Sequence, residues 1–154
     1  MPADLVIRPW QPADHDAVIP MLLDCIAANH EAGSDLVPTL ANAERLWGIG
    51  MAATQAGDPT LMATVGDTRI GWTLWAGLPG DFDRTVRVCH GFGTYVAPAF
   101  RRTGVASALR RAAGACARAR GYGKVIGTAF HEAGQRSVEA VGFVATGRQM
   151  EWWL

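Results

Sequence analysis

An α/β sandwich built on a mixed sheet is the fold class this sequence predicts, and three observations carry the prediction. The hydrophobic periodicity is helical before Gly57-Asp58-Pro59 and strand-like after it. The second half then alternates strand, helix, strand, helix, strand. The chain has 154 residues, 49% of them hydrophobic and 18% charged, enough for one core without metal or disulfide staples. The expected order is β-α-α-β-β-β-α-β-α-β, in a single domain over residues 1–154.

Each element has a local reason. Leu5-Val6-Ile7, ahead of Pro9, predicts a first strand. From Asp14 to Asn29, Val18, Leu22 and Ile26 recur at helical spacing, with Asp14 as N-cap and Pro20 placing the regular helix near itself. Thr39 caps a second helix running to Gln55. Residues 60–65 and 69–75 predict two strands joined at Gly66-Asp67. A longer strand is expected from Thr85 to Val96, where Pro98 stops it. A helix from Val105 to Arg120 ends at Gly121. A strand over 124–130, a short helix over 133–141 and a last strand over 147–153 complete the chain.

Several function classes are excluded at this level. No apolar run approaches the ~20 residues that cross a bilayer, and MPADLVIRPW lacks the pattern of a signal peptide. Cys25, Cys89 and Cys116 are odd in number and widely spaced, which suits reduced thiols in a cytoplasmic protein and no metal site. Net charge is zero but divided: residues 1–77 carry three Arg against nine acids, and residues 78–154 carry eleven basic residues against five acids. Nine basic residues and no acid lie between Arg84 and His131. That half of the chain suits an anion.

The segment that gathers this charge reads Thr94-Tyr-Val-Ala-Pro-Ala-Phe-Arg-Arg-Thr-Gly-Val-Ala-Ser107. A strand ends at Val96 and a helix begins at Val105, so unpaired backbone N–H groups and the positive helix end meet at one loop. Gly104 leaves room for backbone to approach a ligand, and Arg101 and Arg102 add charge. Neither a GxxxxGK[ST] nor a GxGxxG pattern is present, which disfavours nucleotide-triphosphatase and dinucleotide readings.

Arg101-Arg-Thr-Gly104-Val-Ala106 resembles the acetyl-CoA loop of the GCN5-related N-acetyltransferase (GNAT) family, Gln/Arg-x-x-Gly-x-Gly/Ala. Val96-Ala-Pro98 upstream, the following helix, the strand at Lys124 and Gly142-Phe143 extend the resemblance, which is strongest over residues 86–143. It implies a GNAT-like acyl-CoA N-acyltransferase sandwich in which two central strands splay apart. It further implies that acetyl-CoA pairs along Thr94, Tyr95 and Val96. The cofactor's pyrophosphate would then lie on Arg101, Arg102, Thr103, Gly104, Val105, Ala106 and Ser107.

The catalytic positions depart from the family pattern. Twelve residues before Phe143, where many members carry Asn, stands His131, and the Tyr position seven residues further is Val138. The phenol that often protonates the departing thiolate is therefore missing, leaving water for that task. Histone-type members carry a Glu base six residues before the strand end; here that position is His90. An imidazole can take the proton, directly or through a water, or His90 is an ordinary strand residue. His90 shares strand parity with Phe92, Thr94 and Val96, while Cys89 points the other way. His131 is the other candidate.

The resemblance walls the acceptor side with the loop after the first helix and with the β-hairpin, which supply His30, Glu31, Asp35, Trp72 and Trp75. Acids beside aromatics suit a cationic amine. Trp72 and Trp75 are of opposite parity, so both enter one pocket only across a bulge, and both also read as sheet core. Trp152 and Trp153 lie on opposite faces of the last strand, leaving one for a homodimer contact.

Three readings follow: an acetyl-CoA-dependent N-acetyltransferase acting on a small-molecule or amino-acid-like amine, a CoA-sensing GNAT-like protein without turnover, and a nucleic-acid-binding module. The last lacks a helix-turn-helix, zinc or RNP signature, so neither nucleic acid nor membrane is an expected partner.

Overall fold

The fold was obtained as a computed structural model that describes residues 1–77, 86–130, 132–146 and 149–153. Its elements in chain order are β1 (Leu5–Pro9), α1 (His15–Glu31), α2 (Leu40–Gln55), β2 (Leu61–Val65), β3 (Thr68–Gly77), β4 (Val88–Val96), α3 (Val105–Ala119), β5 (Lys124–Thr128), α4 (Glu132–Glu139), β6 (Val144–Thr146) and β7 (Gln149–Trp153). The expected order holds except at the end, where β6 is added. Three residues are too few to show a period of two in sequence.

The strands form one mixed sheet in the order β1-β2-β3-β4-β5-β7-β6. All neighbours are antiparallel except β4 and β5, which run parallel and join through α3. Two layers cover it. Val18, Leu22 and Ile26 of α1 and Ala43 of α2 pack with Met62, Trp72, Leu74 and Tyr95 on one face. Val105, Leu109, Ala113 and Ala117 of α3 pack with Ile70, Trp75, Cys89, Val96 and Val125 on the other. Burying these side chains is the main stabilising term.

Local chemistry explains the element ends. The Thr39 hydroxyl accepts the Asn42 N–H at 3.2 Å, so α2 starts where its cap predicts. Asp14 precedes α1 but makes no side-chain cap. Its fully buried carboxylate instead takes both Nη atoms of Arg8 at 2.7 Å and Nε of Arg69 at 3.1 Å, tying the start of α1 to β1 and β3. Pro20 lies inside α1 rather than at its start. Because it is exposed and in the second turn, the only helix bond it forgoes is the one to the Asp16 carbonyl.

One irregularity matters for function. Leu74 pairs with Gly93 but Trp75 pairs with Gly91, so Phe92 is a bulge in β4. The bulge resets side-chain alternation: Cys89 and Val96 share the α3 face although seven residues separate them. His90 therefore faces opposite Cys89, on the same side as Tyr95, and not with Thr94 and Val96 as simple alternation predicts.

Candidate functional site

The cleft begins where two strands part. The β4–β5 ladder runs from Val88↔Lys124 to Gly91↔Gly127 and stops there, while β4 continues to Val96. From Phe92 to Val96 the β5-side edge of β4 has no strand partner among the described residues. An extended amide chain can pair along such an edge. Around this fork lies a cleft of about 690 Å³, walled by α1, β4, the loop before α3, α3, β5 and α4.

One end of the cleft is built for anions. Gly104 is the N-cap residue of α3 with φ +91°, a conformation L side chains rarely adopt. A Cβ there would meet nothing within 4 Å, so backbone conformation and not internal crowding demands the glycine. Unlike α2, α3 has no side-chain cap, so its first N–H groups remain available to a ligand. Arg102 also has positive φ, at 62°. Holding a non-glycine residue there costs of order 1 kcal/mol. Arg101 donates Nε to the Val96 carbonyl at 3.1 Å, which fastens the loop to the end of β4.

A third arginine, unforeseen from sequence, joins this wall. Arg110 is 7% exposed and donates Nη1 to the carbonyl and hydroxyl of Ser137 on α4, at 3.0 and 2.5 Å. Burial lowers its pKa to about 10. Its position four residues after Ala106, on the same helix face, was the available signal.

The expected cofactor residues divide as follows. Thr94, Tyr95, Val96, Arg101, Arg102, Gly104, Ala106 and Ser107 line the cleft. Thr103 turns its hydroxyl to the Phe100 carbonyl at 2.6 Å, and the Val105 side chain is buried in the core beside Leu109. Those two offer a ligand only backbone.

The expected acceptor residues lie elsewhere. His30, Glu31 and Asp35 are exposed and do not line the cleft; the His30 Nδ1 instead lies 2.9 Å from the Ser34 carbonyl oxygen. The turn of α1 that faces the cleft comes earlier, with Asp24, Cys25, Ala28 and Asn29. Trp72 is also outside the lining. It is 2% exposed, edge-on to Trp10 at 6.0 Å and stacked on Tyr95 at 6.2 Å, so it supports the wall from behind. Trp75, on the other sheet face, does line the cleft.

His90 is half-buried next to the fork, paired across to Ala76 and Ile126, and is not among the lining residues. His131 and the side chains of Trp152 and Trp153 lie outside the described residues. Val138 lines the cleft. Tyr122 is not among the lining residues: its hydroxyl donates to Asp58 at 2.7 Å under the Arg87 guanidinium, and burial pushes it up to about 12. Burial likewise pushes the Cys25 thiol, the cysteine that lines the cleft, up to about 11, so it is protonated near neutrality. Among the described residues no group of His, Cys, Asp or Glu could hold a metal ion. No helix among them is long and apolar enough to cross a membrane.

Solved structures share this architecture. A GCN5-related N-acetyltransferase from Kribbella flavida is 22% identical, with TM-score 0.76 and full coverage of both chains. Ribosomal-protein-alanine N-acetyltransferase from Brucella melitensis is 20% identical, with TM-score 0.78 over 97% of this chain and 99% of that one. PaiA N-acetyltransferase from Thermoplasma acidophilum, in complex with coenzyme A, is 15% identical with TM-score 0.77 over 97% and 99%. At these identities the likeness establishes the fold. No curated protein matches the chain by sequence. Residues 23–143, however, match the Acetyltransferase (GNAT) family, running from the middle of α1 past the end of α4 and including every described residue of the cleft lining. The chain belongs to the GNAT acetyltransferase family.

Proposed function

We propose that this protein is an acetyl-CoA-dependent N-acetyltransferase whose acceptor is the amine of a small molecule or an amino-acid-like compound. The observation that carries the reading is the fork itself: an edge of β4 with no strand partner among the described residues leads directly to the uncapped N-terminus of α3. An extended amide arm with a pyrophosphate at one end matches both features. Arg101, Arg102 and Arg110 stand beside the phosphate end with no acid from the loop or α3 to compete.

Bound acetyl-CoA supplies a thioester whose carbonyl carbon accepts the acceptor nitrogen. The residues here hold the arm, orient the amine and take its proton. Cys25, held protonated by burial, is a poor acyl carrier, which favours direct attack in a ternary complex. The attacking amine must be neutral, so a base is required. His90, placed by the bulge on the Tyr95 side of β4 and beside the fork, is the base we assign. Since it is set back from the lining, it would act through a water. His131 is the second candidate. Val138 has no proton to give, so the proton for a departing thiolate would have to come from a water.

Val138 also favours a second reading, a protein that binds CoA without turnover. Acetyl-CoA titration followed by turnover across a panel of amines decides between them. Binding with product supports the enzyme, binding without product supports the sensor, and absence of binding removes both. The basic stretch supports neither a nucleic-acid groove nor a long charged face. Arg87 stacks on Tyr122 and donates to the Arg120 carbonyl, and Arg120 donates to the Ala56 carbonyl, so part of it is committed to holding the fold.

A further inference from the structure

The lining of the cleft is polarised. Three arginines stand at the α3 end, and Asp24 on α1 is the acid among the described lining residues. Its carboxylate is held in place: the Tyr95 hydroxyl donates to Oδ2 at 3.0 Å, and the Tyr95 ring is stacked on buried Trp72 at 6.2 Å. Among the described residues no basic side chain forms an ion pair with Asp24. Arg101 is also close, its guanidinium carbon 5.8 Å from the Tyr95 ring centre and acting on the Tyr95 side chain that bonds Asp24, while its Nε is bound to the Val96 carbonyl. The carboxylate takes its hydrogen bond from Tyr95, and Phe92 and Phe130 line the same cleft. An oriented anion beside aromatic rings is a site for an organic cation.

The reacting nitrogen must give up its proton, and the base assigned to that task is His90, so the group held by Asp24 is taken to be a different nitrogen, one that the carboxylate keeps protonated. A group held by Asp24 is thus a second cationic centre, kept charged while another amine of the same molecule meets the thioester. We propose that Asp24, oriented by Tyr95, binds such a second cation, so that the acceptor is a diamine or an amine bearing another permanently charged basic group. This rests on the amine-acetylation reading above and names its substrate class.

The test is calorimetric titration of the protein, in excess CoA, with 1,5-diaminopentane and with n-pentylamine. Wild-type, Asp24→Asn and Asp24→Glu proteins are compared. The diamine should bind about ten-fold more tightly than the monoamine, the worth of one charge-assisted contact. The preference should vanish in Asp24→Asn and return in Asp24→Glu, while CoA affinity stays constant. Asp24 is exposed, so the substitutions leave the core intact. Equal binding of the two amines by wild-type protein, absence of amine binding, or a preference that survives Asp24→Asn would each overturn the proposal. Binding is read without turnover. A preference found in a protein that forms no acetylated product would overturn the enzyme reading and leave the Asp24 site standing.

Discussion

Gly91 of β4 and Gly127 of β5 face each other on the last rung of the parallel ladder, so closely that a Cβ on Gly127 would lie 3.3 Å from the Gly91 carbonyl oxygen. Beyond this rung the strands part and the cleft opens. The two glycines are not equivalent, because a Cβ on Gly91 would make only ordinary contact, 3.4 Å from the Trp75 ring nitrogen. Gly127→Ala presses on backbone and should lower stability by about 1–2 kcal/mol, whereas Gly91→Ala should stay within about 0.5 kcal/mol of wild type. Thermal melting of the two variants measures the difference.

Gly104→Asp should abolish acetyl-CoA binding and leave the protein folded, at a strain cost of about 1–2 kcal/mol for a side chain at this φ. It sets a side chain at φ +91° and a negative charge at the uncapped start of α3. The space around the missing Cβ is open, so nothing inside the protein clashes. Unchanged calorimetric affinity in the folded variant would remove the pyrophosphate from this loop.

His90→Gln should lower the maximal rate by roughly 10²-fold, the usual share of general-base catalysis, with acetyl-CoA affinity nearly constant. His131→Gln is the comparison, since a residue that touches cofactor changes affinity together with rate. Wild-type turnover in His90→Gln would pass the proton to His131 or to solvent.

Arg110→Met should raise the melting temperature while weakening acetyl-CoA binding. Burial lowers the Arg110 pKa to about 10, which means the fold disfavours its charge, and that cost is present at every pH below this value. Replacing it with an unbranched apolar side chain removes the cost together with a cation of the cofactor wall. A lower melting temperature with unchanged affinity would make Arg110 a structural residue only.

Asp14 links pH to stability. Burial acts to raise its pKa, but hydrogen bonds from Arg8, the Gln11 N–H and Arg69 outweigh it and hold the carboxyl below its ordinary value. A depressed acid stabilises the fold above its unfolded pKa of about 3.9, and that contribution is lost as pH falls through the lower folded value. Asp14→Asn should cost about 3 kcal/mol at neutral pH, because two guanidinium groups lose one buried carboxylate. The loss of stability on acidification should be shallower in the variant than in wild type, as denaturant midpoints between pH 7 and pH 3 would show.

Much of this molecule was legible from neighbouring residues. Thr39 predicts the start of α2 because a cap acts over three residues, and Gly66-Asp67 predicts the β2–β3 hairpin because a tight turn needs only its own backbone. The loop at Gly104 was readable for the same reason, since strand end, glycine and helix start are consecutive. Alternation marked Trp72 and Trp75 as opposed, and the two cores divide them so.

What the tertiary structure alone decided depends on how distant segments meet. The bulge at Phe92 arises from the pairing of β3 with β4, and it moves His90 to the Tyr95 face against the parity of its own strand. Periodicity identifies the apolar side of α1, but which turn of that helix reaches the cleft depends on how it crosses the sheet. Asp24 and Asn29 therefore face the site while His30, Glu31 and Asp35 do not. Local sequence sets conformation through contacts a few residues long. Position in the site is set by packing between segments far apart in the chain, as Asp24 and Tyr95 are.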